Sequence, residues 1–449
     1  MCVLGEVHAR VTNRIRQVDR WWIFLLTVLS QSVSAQSIVL DEDMSEDEKS
    51  SGWLPYVFST DSYDTAIGIG GGFSGIGDQR QAGLIGTVMG TTNDSFLASG
   101  ALTNYRFPGT GRLFLDAFFF AGHFTDDRVY ADMDHNPAQQ RAGSNDSDPD
   151  DFLSGITNDF RFELTFDYRV PIGSARQHPV PVYRLNRGLL TSGPEAGNNW
   201  NPLTSGTTNA SLTWFNRYRD IDDDVNDPDN DVLFYKTSGL KLNLDYDNTD
   251  FPRNPSRGSR QQIILARDFG WFNSSNTWSN VQLDSSKYFN FGSSDAIRQR
   301  VLALNFWTSY SPTWATDPDA SQVVNHRPPA YLGSTLGGYD RMRAYPSGRF
   351  SDQAAVYYSA ELRIIPDWNP LKDLPILDYF EIDWIQFVSF LEMGRVGSSY
   401  DTDLFIEDLK YDVGLGIRMM AFRNVVRLDL AYGEEGTSLW AMYAQPFAR

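Results

Sequence analysis

The residues whose types and spacing could do chemistry gather in the last third of the chain. Between Gly333 and Arg363 a Gly-punctuated segment carries Arg341, Arg343 and Arg349, and a run of strict alternation then brings Glu361 and Arg363. Guanidinium forks and carboxylates in this density support charge-assisted, bidentate hydrogen bonds rather than covalent chemistry. Nucleophilic catalysis needs a nucleophile beside a positioned base. His123, His135, His178 and His326 stand in no recognisable Ser/His constellation, so no enzyme is expected; a barrel lipase using His123 is the weaker alternative. The single cysteine, Cys2, lies at the extreme N-terminus, which removes disulfides, thiol catalysis and Cys-ligated metals from an exported product. Asp222, Asp223, Asp224, Asp227, Asp229 and Asp231 are dense, yet they lack the spaced ligands and central Gly of an EF-hand loop. They read as solvated surface, and neither a metal nor a cofactor is expected.

The elements that must position these groups are strands. In 354–366, Tyr358, Ala360, Leu362 and Ile364 share one face, while Tyr357, Ser359, Glu361 and Arg363 share the other. Leu240, Leu242, Leu244 and Tyr246 oppose Lys241, Asn243 and Asp245. Tyr411, Val413, Leu415 and Ile417 oppose Asp412, Gly414, Gly416 and Arg418, and Val426, Leu428 and Leu430 oppose Arg427 and Asp429. Alternation and turn signals give about sixteen strands from Trp53 onward, the last over 438–447, an even number as a closed antiparallel barrel requires. The expected fold is therefore all-β, a transmembrane antiparallel β-barrel. Its apolar faces meet lipid, and Lys241, Asp245, Glu361, Arg363, Arg418, Arg427 and Asp429 face the lumen, because a charge facing hydrocarbon costs about 2–4 kcal/mol at the midplane.

Composition agrees. The first 35 residues read as an export signal: Arg10, Arg14, Arg16 and Arg20 precede the apolar run Trp21 to Leu29, and Val33-Ser34-Ala35 offers a cleavage site. Removing those four arginines with Glu6 and Asp19 from 38 Lys+Arg and 57 Asp+Glu leaves 34 against 55, about −21, which excludes a nucleic-acid binder. Residues 36–51 read as an acidic disordered leader, and 52–449 as the barrel. With the N-terminus periplasmic, the acidic segments 125–158 and 220–231 fall outside the cell, while Pro108 to Gly111 and Arg423-Asn424 become tight inner turns.

Four stretches resemble the BamA/TamA-type outer-membrane barrels of the bacterial surface antigen superfamily, related to two-partner secretion transporters. Met342-Arg343-Ala344-Tyr345 is similar to that family's (Val/Leu)-Arg-Gly-(Phe/Tyr) motif on the sixth outer loop, and Glu361-Leu362-Arg363 to the strand that follows it. Asp247, Asp250 and Pro252 with Pro255 and Gly258 resemble its periplasmic turn motif. Phe390 to Gly394 resembles Phe-x-Asp-x-Gly, and the ending Ala444 to Phe447 resembles a terminal aromatic assembly signal, here Phe447. The resemblance implies that loop 311–353 folds into the lumen as a plug, with Arg343 and Tyr345 tethered to Glu392. It implies a Gram-negative outer membrane, lipid and lipopolysaccharide as neighbours, and exported polypeptides as clients for insertion or translocation. Periplasmic polypeptide-binding (POTRA) domains do not fit within 36–51, so a periplasmic or membrane partner is expected to supply that role. The alternative is a plugged or gated pore for small solutes with no polypeptide client; surface adhesion is a further one.

Overall fold

The computed structural model describes residues 37–42, 51–60, 64–130, 141–223, 233–314, 326–329, 332–371 and 380–447. The export signal, Asp43, Glu46, Asp47 and Glu48 of the leader, His135, and Asp224, Asp227, Asp229 and Asp231 of the second acidic run lie outside them.

In chain order the strands are β1 (Ile38–Asp41), β2 (Ser51–Thr60), β3 (Asp64–Ser74), β4 (Gly83–Thr91), β5 (Phe96–Arg106), β6 (Leu113–Val129) and β7 (Leu153–Arg169). Next come β8 (Val182–Asn186), β9 (Leu189–Ser192), β10 (Thr207–Asp223), β11 (Leu233–Asp247), β12 (Gly258–Asp268), β13 (Trp278–Asn290) and β14 (Ile297–Tyr310). The last are β15 (Thr335–Leu336), β16 (Phe350–Ser351), β17 (Ala354–Pro366), β18 (Trp384–Gly397), β19 (Lys410–Ala421), β20 (Asn424–Gly433) and β21 (Gly436–Tyr443). Sixteen of these form one sheet, ordered from β2 to β7, β10 to β14 and β17 to β21. Its successive strands pair antiparallel, as β10 with β11 and β17 with β18.

The period-two pattern becomes two walls. Leu242, Leu244, Ile263, Leu265, Val413, Leu415 and Ile417 are exposed on the outside, while Asp245, Glu361, Arg363, Arg418 and Asp429 are buried on the inside. Exposed aromatics gather towards the two ends of the outer wall. Trp53, Phe73, Phe107, Phe289, Phe291 and Trp368 lie at the end with the short turns, and Phe96, Phe269, Trp271, Phe272, Tyr400, Tyr411 and Tyr432 at the other. Such girdles are what amphipathic rings form at the two interfaces of a bilayer. At the turn end β2 comes near the far end of the sheet, since a Cβ on Gly52 in β2 would stand 3.8 Å from the Phe422 ring in the turn between β19 and β20.

Three features differ from the expectations. Part of the acidic leader is a strand: β1 pairs parallel with β8, and β8 with β9, in a separate three-stranded sheet. The turn end is not uniformly short, because residues 170–206 between β7 and β10 hold that sheet. The final strand stops at Tyr443, not 447, where Ala444 takes φ 67° and turns the chain out of the ladder. Pro446 therefore lies beyond the sheet.

The small sheet lies across the turn end. Tyr183 and Leu185 pack with Phe251, Ile365, Trp384, Met420 and Val425, which come from five turn-end positions around the barrel wall. Trp384 Nε1 donates to Gly188 O at 2.9 Å, and Arg423 Nη1 meets Asp41 Oδ2 at 2.7 Å. Burying the apolar side of a short hairpin on the mouth supplies the stability that an isolated hairpin lacks.

Candidate functional site: a buried charge cluster between loop and wall

The described stretch 332–353 of the loop before β17 lies on the sheet's concave side and is compacted by its own backbone. Gly338 N donates to Tyr345 O at 2.9 Å, Tyr345 N to Met342 O at 3.0 Å, and Arg349 N to Pro346 O at 3.1 Å. Gly337, at φ 104°, passes so near Pro346 that a Cβ would stand 2.2 Å from its carbonyl oxygen, so no other residue fits there. The positive φ of this segment next to the arginine falls on Met342, at 59°, and not on Ala344. Ala344 packs on Gly433, where an added Cβ would stand 2.9 Å from its own.

The wall facing this loop is electrostatically incomplete by itself. Glu392 on β18 is directly opposite Asp412 on β19, and Arg418 on β19 directly opposite Arg427 on β20. Like charges facing each other across a ladder are destabilising. With Glu361, Asp429 and Arg363 added, the wall holds four carboxylates and three guanidinium groups, all at most 4% exposed. The loop brings a further cation against these carboxylates.

Arg343 supplies it. Its Nη2 lies 2.9 Å from Glu361 Oε1, its Nε donates to Glu392 Oε1 at 3.0 Å and its Nη1 to Asp429 Oδ2 at 2.6 Å. Its backbone N–H donates to Glu392 Oε2 at 2.7 Å, and the guanidinium sits 3.5 Å over the Phe390 ring. The neighbouring Ala344 N donates to Asp412 Oδ2 at 3.0 Å, and Tyr345 Oη to Tyr411 O at 3.1 Å. One loop turn thus engages β17, β18, β19 and β20 together.

The wall's own cations share these acceptors. Arg418 donates to both Glu361 oxygens at 2.8 and 3.0 Å, Arg363 Nε to Glu361 Oε2 at 2.8 Å, and Arg427 Nη1 to Asp429 Oδ2 at 2.7 Å. Arg418 also hydrogen-bonds Gln445, whose Nε2 donates to Asn254 Oδ1 at 3.0 Å in the turn between β11 and β12. Phe447, the aromatic of the C-terminal ending, is buried 5.8 Å from the Arg363 guanidinium.

Other expected residues lie apart from this cluster. Lys241 pairs with Glu163 at 3.0 Å and Asp245 with Arg260 at 2.6 Å, on strands of the opposite wall. Asp247 and Asp250 are turn staples: Asp247 Oδ1 accepts from Thr249 N at 2.8 Å, and Asp250 Oδ1 from Ser256 N at 2.8 Å. Pro252 and Pro255 lie in the same turn, and Gly258 closes it at φ 95° with its Cα against Asn248. His123 stacks on Phe96 and hydrogen-bonds Asn158 at 2.8 Å. Two participants were not foreseen, Asp412 as acceptor for the loop backbone and Arg349. Arg349 is fully buried and binds Glu435 in the hairpin between β20 and β21 at 2.8 Å and Ser147 at 2.8 Å. Its place among the loop arginines was visible in the sequence, but its partners are distant in the chain. A polar cavity of about 560 Å³, lined by groups including Arg161, Glu163, Arg217 and Asp284, separates the loop from the opposite wall.

A sixteen-stranded antiparallel sheet with an apolar outer face, two aromatic girdles and a loop locked into a charged interior defines a β-barrel of the outer-membrane type. Residues 114–436 match the Omp85 superfamily domain, and the chain belongs to that superfamily. It is similar to solved structures of BamA from Haemophilus ducreyi lacking POTRA domains 1-3 (12% identity, TM-score 0.46, 88% of this chain and 69% of that one). It is also similar to CdiB from Acinetobacter baumannii (12%, 0.45, 86% and 56%) and CdiB from Escherichia coli (10%, 0.49, 87% and 61%). The chain thus spans less than two thirds of either CdiB chain. No curated protein matches it.

Proposed function

We propose that this chain is an outer-membrane barrel that inserts or translocates exported polypeptides, with Arg343 tethering a lumenal plug to Glu392, Glu361 and Asp429. The observation that carries this reading is the place of the tether. Its partners lie on β17, β18 and β20, and its flanking residues Arg343 and Ala344 accept from Trp440 Nε1 and Ser438 Oγ on β21, the last strand of the sheet. Membership of the Omp85 superfamily supports a polypeptide as the cargo. Outer-membrane lipid and lipopolysaccharide would surround the girdles, and a periplasmic or membrane partner would deliver clients. The test is photo-crosslinking in living cells from probes at Trp53 and Leu439, on the first and last strands. Exported polypeptides trapped at both positions support the reading, and lipid and lipopolysaccharide as sole neighbours overturn it. The second outcome would favour a plugged pore for small solutes, the reading that the polar cavity beside the plug supports.

A further inference from the structure

The part of the molecule that the plug does not explain is the small sheet across the turn end. Its hairpin, β8 and β9, is held by the barrel without help from β1. Trp384 donates to Gly188 O at 2.9 Å and Arg298 Nη2 to Arg187 O at 2.9 Å, while Tyr183 and Leu185 pack on the mouth; Arg112 fixes the approach to the hairpin through Ala175 O and Arg176 O at 2.7 Å each. β1 is a guest on that hairpin. It adds only the pairs Ile38 with Val182, Val39 with Tyr183, Leu40 with Arg184 and Asp41 with Leu185, in parallel, the slightly weaker of the two pairing modes.

We propose that the edge of β8 is a receptor for an extended polypeptide segment and that β1 is its resident occupant, which an incoming segment replaces. This deepens the polypeptide-handling reading and rests on it. The contacts of β1 state what the receptor recognises. Backbone bonds, Ile38 N to Pro181 O at 2.9 Å and Glu42 N to Leu185 O at 3.0 Å, read extended main chain without regard to sequence. Leu40 is buried, 1% exposed, so an aliphatic side chain is accommodated at that position. Asp41 meets Arg423 at 2.7 Å, and Glu42 Oε2 accepts from Asn186 Nδ2 at 2.7 Å. The partner is therefore an extended segment with an aliphatic side chain followed directly by acidic ones. Because the receptor lies over the turn-end mouth, a segment bound there is already at the entrance to the lumen.

The test uses the full-length folded protein and a labelled peptide of the sequence Ser-Ile-Val-Leu-Asp-Glu. Leu40→Asp places a charge at a buried position and should release β1, so this variant is expected to bind the peptide at least tenfold more tightly than the wild type does. Arg423→Glu in that background should abolish the gain, and a peptide with Lys in place of Asp should recover it. A Cys pair at Ile38 and Val182, once oxidised, should exclude the peptide until it is reduced. Ile38→Pro, which removes the bond to Pro181 without burying a charge, is the second variant and must show the same gain. Failure of both variants to bind more tightly, with folding intact by heat-modified gel mobility, overturns the proposal. A photo-probe at Val182 in cells separates the two readings. Peptide binding without any trapped polypeptide removes translocation and keeps the receptor, whereas trapped polypeptides without peptide binding remove the receptor alone.

Discussion

At the scale of single residues, the charge cluster behaves as one object because every member is buried. Arg343 lies against three carboxylates, Glu361, Glu392 and Asp429, and all four side chains are buried. Removing one partner of a buried charge network leaves an uncompensated charge, at a cost of about 3–5 kcal/mol. Arg343→Ala should therefore lower the urea stability of the folded barrel by about that amount. Arg343→Lys should recover only part of it, since an ammonium cannot present a planar fork to three carboxylates at once. Equal stability of the alanine variant and the wild type would mean that the loop is not held by charge. Glu392 was legible as the partner of Arg343 through the resemblance of two short motifs. Glu361 and Asp429 were legible only as inward-facing charges, because alternation states which wall a side chain lies on and is silent about what meets it across the lumen. Glu in place of Asp at 392 lets one carboxylate take both the backbone N–H and the Nε of Arg343, with one oxygen each.

At the scale of elements, the sixteen barrel strands were readable because lipid and lumen impose opposite polarity on alternate residues, a signal carried by every strand. β1, β8 and β9 lack that signal. They lie on the mouth and not in the wall, and only the Asn186-Arg187-Gly188 turn, with φ of 47° and 71° at Arg187 and Gly188, marks the hairpin. The turn inward at Ala444 was marked only by Pro446, which cannot donate a ladder hydrogen bond but does not say where the chain goes next. The mouth sheet also carries a pH dependence. Asp383, in the turn before β18, has its carboxyl pushed up to about 6, first by burial and then by the nearby Asp41. Its folded value lies above the ordinary carboxylate value, so the folded form takes up the proton more readily. The stabilisation is complete below about pH 4, the unfolded value, and is lost as pH rises through about 6. Amide exchange of β1 and β8 should therefore quicken between pH 5 and pH 7 relative to the intrinsic rate, and Asp383→Asn should flatten that profile. An unchanged profile in the asparagine variant would assign the effect elsewhere.

At the scale of the whole molecule, the lumen is obstructed at two levels by unrelated devices. The plug is fastened by charge to β17, β18, β19 and β20, and the mouth sheet by apolar packing and a few hydrogen bonds at the turn end. The two share no residue, but Asn254 and Gln445 connect them through the turn between β11 and β12 to Arg418. Obstructions in series act on conduction as resistances in series, so opening one leaves the other limiting. In planar bilayers Arg343→Ala alone and Leu185→Asp alone, the second unseating the β8–β9 hairpin from its apolar packing on the mouth, should each raise conductance modestly. The double variant should conduct far more than the sum of the two gains. A single variant that conducts as well as the double would show that only one obstruction closes the path, and would identify which. Full conductance from Arg343→Ala alone would mean that the mouth sheet leaves an open route beside it, in line with the solute-pore reading. Full conductance from Leu185→Asp alone would mean that the cavity beside the plug already spans the lumen, and the role of Arg343 would then be to brace β17 to β20 instead of holding a stopper.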